Sequence, residues 1–338
     1  MARPRILFRA DASHEIGFGH VARLCALIEE AETQGFEPVA MFGGDASAIR
    51  SWAADRKLTV DLRDWGTTAM VQAVEHPRVC ALVVDGPALA SELLPKVPPR
   101  VRSVMIDDVG KNRLAVSTVV NHNIHAPGLA ATYPGAVQRL LGRSYLMLRR
   151  DIRRYMRGSC HPSNHGRLRV LITYGGTDPV GATARTLALV PPDRPLDLVV
   201  IAGPGFRGDE ALNAAIATAT AAGHLVDVHR SPPDPGGLFV SADAAICSAG
   251  GTLGELAFLG CPALAYAIVP DQVAPARQQL RDGLIAGGQT FGELTDDVIR
   301  ADMLAFLTDD AGRTAQRQRA LATADADGPR RIIEAITV

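Results

Sequence analysis

Short apolar runs alternate with stretches of helical periodicity along the whole chain. In the first half the runs are Arg5–Phe8, Pro38–Phe42, Leu58–Asp61, Ala81–Asp85 and Arg102–Ile106, with Ser117–Asn121 after them. In the second half they are Leu168–Tyr174, Leu196–Ala202, Leu225–Val228, Ala244–Cys247 and Ala263–Ala267. Strand–helix alternation at this spacing predicts parallel sheets covered by helices. The rhythm stops between Arg149 and Arg167. There a basic helix end passes into Gly158-Ser159-Cys160-His161-Pro162-Ser163-Asn164-His165-Gly166, and the alternation then restarts. Polar and turn-forming residues of this kind predict a linker. The expected α/β organisation is a Rossmann-like domain over 1–150, a linker over 151–166 and a second Rossmann-like domain over 167–338. The parallel sheets would face an interdomain cleft, with loops at the strand ends contributing from both sides. The stretch after Phe291 is Ala- and Arg-rich and helical; it either covers the second domain or crosses back to the first.

Composition narrows the class. The chain has 338 residues, which favours two domains of roughly 150 residues each. It is 47% apolar and 21% charged, the balance of a protein with a sizeable core. A formal net charge of -1 supplies no basic excess for nucleic acid or an acidic membrane surface. No apolar stretch approaches the roughly 20 residues that span a bilayer. Met1-Ala2-Arg3-Pro4 runs straight into the first strand, so no signal peptide is expected. Cys25, Cys80, Cys160, Cys247 and Cys261 are odd in number and scattered, which fits buried thiols of a reduced compartment and not a disulfide frame. Cys160, His161 and His165 lie close together, but ligand spacing does not recur, and no metal is expected. A cytoplasmic enzyme is the starting class.

Four motifs carry candidate chemistry. Gly17-Phe18-Gly19-His20 lies between the first strand and Val21–Ile28, which reads as a helix. A Gly-rich turn admits a molecule close to the backbone, and a histidine there exchanges protons near neutral pH. The turn is also explained as a tight corner with a helix-starting histidine. It falls short of G-x-G-x-x-G and no acidic residue follows as the dinucleotide fingerprint requires, so no nicotinamide cofactor is expected. Asp11, Asp85, Asp107 and Asp108 stand near strand ends; Asp11 is nearest His20 in sequence and is expected to orient it.

Tyr174-Gly175-Gly176-Thr177-Asp178-Pro179 offers Asp178 as an N-cap and Pro179 as a first helical residue. A Gly-Gly turn into a helix N-terminus is equally an anion site. In Ser248-Ala249-Gly250-Gly251-Thr252-Leu253-Gly254-Glu255, Thr252 and Glu255 have capping-box spacing. That spacing leaves the glycines unexplained: they make room for a diphosphate against the amides, with Glu255 placed for two ribose hydroxyls. Pro270-Asp271-Gln272 caps the next helix or reaches a sugar or phosphate.

Taken together, these segments resemble a known group. Ile6-Leu7-Phe8-Arg9-Ala10-Asp11-Ala12-Ser13 with Ile16–His20 looks like the opening of the pseudaminic acid pathway UDP-sugar hydrolases and the related spore-coat polysaccharide proteins. Val104–Asp108, Leu141–Arg149, Gly175–Asp178 and Gly250–Glu255 follow in family order over nearly the whole chain. The resemblance implies the two-domain GT-B fold, shared with the peptidoglycan N-acetylglucosaminyl transferase. It implies a nucleotide in the second domain, held by Gly175, Gly176, Thr177, Gly250, Gly251, Thr252 and Glu255. It implies His20 as the catalytic base that activates water at the anomeric carbon, with inversion and without a metal or other cofactor. Gly17, Phe18, Gly19, Asp85, Asp271 and Gln272 would lie on the sugar side.

Two departures bear on the sugar. The family tends to carry a tyrosine shortly after the aspartate of the fourth strand, where this chain has Asp85-Gly86-Pro87-Ala88. It also tends to carry Asn-Gln where this chain has Asp271-Gln272. An aspartate is a charged acceptor where an asparagine both donates and accepts. The expected function is therefore a metal-independent hydrolase of a UDP-sugar. Its alternatives are a GT-B glycosyltransferase that hands the sugar to a small acceptor and a non-catalytic nucleotide-sugar binding protein.

Overall fold

The computed structural model describes residues 2–13, 15–55, 59–63, 65–111, 113–160 and 166–337. The chain divides into two compact units, Met1–Arg150 with Ala326–Val338, and Asp151–Asp325.

The first unit holds strands β1 (Arg5–Ala12), β2 (Glu37–Gly44), β3 (Val79–Asp85), β4 (Arg102–Ile106), β5 (Val116–Asn121) and β6 (Ala136–Leu141). Its helices are α1 (Gly19–Thr33), α2 (Ala46–Asp55), α3 (Thr67–Val74) and α4 (Pro87–Leu93). All strand pairs are parallel, in the order β2-β1-β3-β4-β5-β6. Both faces are covered, which is why the central strands read as unbroken apolar runs. Ile6, Phe8 and Ala10 of β1 join one core with Val21, Leu24 and Leu27 of α1. Leu7 enters a second core with Met70 and Val74 of α3 and Leu93 of α4.

The second unit begins within α5 (Arg150–Arg153) and holds β7 (Arg169–Thr173), β8 (Asp197–Ala202), β9 (Leu225–Arg230), β10 (Ala244–Ser248), β11 (Ala263–Ala267) and β12 (Ala286–Thr290). Its further helices are α6 (Ala182–Ala188), α7 (Asp209–Ala221), α8 (Pro235–Val240), α9 (Thr252–Leu259), α10 (Val273–Arg281), α11 (Asp296–Thr308) and α12 (Asp310–Thr323). Strand order is β12-β11-β10-β7-β8-β9, again parallel.

Three expectations are corrected. The run Leu58–Asp61 forms no strand among the described residues; Leu58 lies outside them, and Asp61 makes an isolated bridge to Met41. The expected linker is docked on the second unit as far as it is described. Cys160 donates its thiol to Phe239 O and Ala242 O at 3.0 and 2.9 Å. The Arg317 guanidinium gathers the carbonyls of Gly158, Cys160 and Gly260. A cation and buried thiol satisfying loop carbonyls make this segment part of a packed body. His161 and His165 lie outside the described residues. Finally, the last helix, α13 (Gly328–Thr337), belongs to the first unit and not to a domain running over 167–338. Its Ile332, Ile333 and Ile336 are fully buried in the α1 core, an apolar face that neither composition nor chain position assigns to a partner.

Candidate functional site

Each sheet has one position where its strands were laid down in opposite directions from the first strand. In the first unit this lies between β1 and β3, and in the second between β7 and β10. Helices leave the carboxyl ends there to opposite faces of the sheet, which opens the crevice that binds ligands in such folds. The residues singled out from the sequence gather at these two points.

In the first unit, Gly17 N donates to Ser13 O at 2.8 Å just ahead of α1. Helix α1 starts at Gly19, so His20 is its second residue and Arg23 lies one turn further on the same face. Asp85 ends β3 and is fully buried. His20 Nδ1 stands 2.7 Å from Asp85 Oδ1. A carboxylate only accepts, so Nδ1 carries the proton and donates it to Asp85; the neutral ring then presents a bare, basic Nε2. Arg23 donates from Nε to Asp85 Oδ2 at 2.5 Å and from Nη2 to Oδ1 at 2.6 Å. Its Nη1 donates to Asp108 Oδ2 at 2.6 Å, and Asn123 Nδ2 donates to the other oxygen of Asp108 at 3.1 Å.

The charges follow from this wiring. Burial alone would raise the Asp85 pKa, but Arg23 and His20 outweigh it and hold the carboxyl well below the usual range. Asp85 in turn raises the His20 pKa above its ordinary 6.5, against burial and the Arg23 charge. His122, just past β5, is pushed down to about 4, by burial first and then by Arg23. The site thus holds one histidine that titrates above 6.5 and a second that stays neutral.

Asp11 does not orient His20: its carboxylate pairs with Arg9 within the same strand. Alternation in β1 explains this. Arg9 and Asp11 share one face of the strand, whereas α1 packs on the other, with Ile6, Phe8 and Ala10. Asp107 serves its own loop, accepting from Val109 N and Gly110 N at 2.9 and 3.2 Å. Arg23 and Asn123 went unread from the sequence. The i,i+3 spacing of His20 and Arg23 was the available signal for the first, whereas Asn123 carried none.

In the second unit, the loops after β7, β10 and β11 converge. A Cβ on Gly175 would stand 3.9 Å from Ser248 Oγ, and one on Gly250 would meet Gln272 Nε2 at 3.1 Å. Gln272 is fixed by accepting Ile268 N at 3.0 Å, in a short 3-10 turn from Pro270 to Gln272. Nothing lies within 4 Å of where a Cβ of Gly251 would be, so the approach to α9 is open. Thr252 is the first helical residue and Gly251 the N-cap, so the expected capping box does not form. Glu255 is buried in the first turn, where the helix dipole favours a carboxylate.

The loop after β7 departs from expectation. Helix α6 begins only at Ala182, and Asp178 reaches over an intervening turn to accept Ala182 N and Thr183 N, both at 2.8 Å. Pro179 is therefore not helical. The carboxylate already occupies the end of α6, which removes that helix as an anion site. A feature missed in the sequence supports the same loop: Gly205 N donates to Gly176 O at 2.8 Å, and a Cβ on Gly203 would come within 2.4 Å of Gly175 O. Among the described residues no group of three His, Cys, Asp or Glu could hold a metal ion, and no helix is long and apolar enough to cross a membrane.

No protein-family model matches the chain, and no curated protein matches it significantly. Solved structures do. MurG of Acinetobacter baumannii aligns with a TM-score of 0.70 at 17% identity, over 98% of this chain and 99% of that one. The MnaA–UDP structure of S. aureus aligns at 0.66 and 11%, over 98% and 96%. A UDP-GlcNAc 2-epimerase from Neisseria meningitidis, bound to UDP-GlcNAc, aligns at 0.62 and 10%, over 98% and 99%. The chain has the MurG-like, two-domain GT-B fold. Identities this low carry the fold and leave the chemistry to the residues.

Proposed function

We propose that the chain breaks the anomeric bond of a UDP-sugar, with water as the acceptor and His20 as general base. The observation that carries the reading is the 2.7 Å contact of His20 Nδ1 with a buried, ionised Asp85, which leaves Nε2 basic. Nε2 takes a proton from water as the water oxygen bonds to the anomeric carbon. The bond from that carbon to the diphosphate oxygen breaks, and its electron pair leaves with the nucleoside diphosphate. General-base assistance of this kind supplies roughly 10² to 10⁴ in rate.

The second unit is assigned to the nucleotide. Gly251 leaves space in front of α9, while Gly250 lets Gln272 approach the same loop; the N-terminal dipole and amides of α9 favour the negative charge that grows on a departing diphosphate. Glu255 is assigned to the ribose, and Asp271 with Gln272 to the sugar or phosphate. UDP and UDP-GlcNAc in two structures of the same fold support a uridine nucleotide. A glycosyltransferase is the second reading: the stretch Asp85-Gly86-Pro87-Ala88 lacks the tyrosine of the hydrolases, and the same Nε2 would deprotonate an acceptor hydroxyl or amine.

The test is a panel of UDP- and CDP-sugars, each with and without small acceptors, followed by the nucleoside diphosphate released. Release without acceptor that disappears in His20→Asn supports the hydrolase. Release only with acceptor selects the transferase, and UDP binding without any release sinks both.

A further inference from the structure

The proposed reaction uses His20 and Asp85 but leaves Arg23 unexplained, although it is the most connected side chain of the first unit's site. It spends all three guanidinium nitrogens on carboxylates from two strand ends, Asp85 and Asp108. A surface pair would not need this: the Asp85 side chain is fully buried, and Arg23 is only 14% exposed. We propose that Arg23 is a positioning residue. Its fork holds Asp85 in one orientation against His20 Nδ1, and its charge, itself shared with Asp108, sets how strongly that carboxylate holds a proton on the ring. This rests on the reading of His20 as the base.

The geometry supplies the logic. Asp85 Oδ1 accepts from both His20 Nδ1 and Arg23 Nη2, whose 3.1 Å separation sets two donors side by side on one oxygen. A planar fork on both oxygens prevents the carboxylate from rotating, which a lysine point charge does not do. Without Arg23 the full Asp85 charge would fall on the ring, and His20 would stay protonated and non-basic to higher pH. Asp108 acts in the opposite sense, through its own charge on the ring and by engaging Arg23 from the far side. The charged groups acting on His20 are thus Arg23 on its own helix, Asp85 after β3 and Asp108 after β4. His122 and Arg143 lie further along the same strand ends.

The test is a histidine NMR titration of the ligand-free protein, read at His20, in Arg23→Gln and Asp108→Asn. Loss of a neighbouring charge moves such a titration by roughly one unit. Arg23→Gln is expected to move it up and Asp108→Asn to move it down, with Arg23→Lys closest to wild type in titration yet lower in kcat. Shifts in one direction for both, or none, overturn the proposal. Should Arg23→Gln fail to fold, Arg23→Lys decides: a near-wild-type titration with lowered kcat supports the fork, and an unchanged kcat refutes it. Opposed shifts with no matching change in the pH dependence of turnover uphold Arg23 and remove His20 as the base.

Discussion

Both sheets are six-stranded and parallel and place their candidate sites where the strand order reverses, although the orders differ, and they fill that place with different chemistry. At the β1/β3 position the first unit assembles a histidine, an arginine and two aspartates, all tied to one another. At the β7/β10 position the second unit offers glycines, a serine and a glutamine, with carboxylates only at helix starts and in the turn after β11 (Asp178, Glu255 and Asp271) and open space beside Gly251. One half is built to hold a proton at a defined nitrogen. The other leaves backbone accessible, which suits a ligand that brings its own charge. On the proposed reading, bond-breaking chemistry belongs to the first unit and leaving-group binding to the second.

That division is open to breakage, and the strongest blow falls on the charged half. His20→Asn is expected to lose roughly 10² to 10⁴ in kcat while UDP affinity holds, by steady-state kinetics and calorimetry. An equal loss of UDP affinity would erase the division. Asp85→Asn should also lose kcat, because an amide can hold the ring in the wrong tautomer.

The pH dependence carries a definite sign. The base must be unprotonated, and Asp85 raises the His20 pKa above 6.5, so activity should fall as pH drops through a value above 6.5. The ion pair's stabilisation runs the other way, full below 6.5 and lost as pH rises through the folded-state value. A pH–rate limb below 6.5 would contradict the upward direction that Asp85 gives His20.

In the second unit the expected effects are smaller. Gly203→Ala puts a Cβ against Gly175 O, and overpacking of this kind costs about 1–3 kcal/mol by chemical denaturation. Glu255→Ala should weaken UDP binding by about tenfold if the carboxylate meets the ribose; unchanged affinity removes that role. Gly251→Ala meets no neighbour and should leave stability within about 0.5 kcal/mol, yet weaken UDP binding if the diphosphate sits there. Asp11→Asn should leave the pH profile unmoved, because the partner of Asp11 is Arg9.

How much of this was legible in the chain depends on burial. Strands covered on both faces, such as β3, β4, β10 and β11, were read nearly to the residue because two-sided burial writes an unbroken apolar run. The edge strands β6 and β12 went unread. Ala136–Leu141 leaves Val137 84% exposed, and Ala286–Thr290 contains two glycines, so neither needs an apolar run. The glycine turns were visible as motifs because they rely on backbone freedom, which is local.

The sequence by itself determined two α/β units, their parallel sheets and the strand ends where function would lie, because periodicity and turn chemistry are properties of neighbouring residues. It also marked His20, whose setting between a Gly turn and a helix is local. The partner of that histidine was decided only by the tertiary structure. Asp11 is nine residues from His20 and Asp85 is 65, yet β1 alternation turns the first away while the pairing of β1 with β3 brings the second to 2.7 Å. The same holds for α13, whose buried isoleucines find their core 300 residues back along the chain, roughly, by packing and not by proximity in sequence.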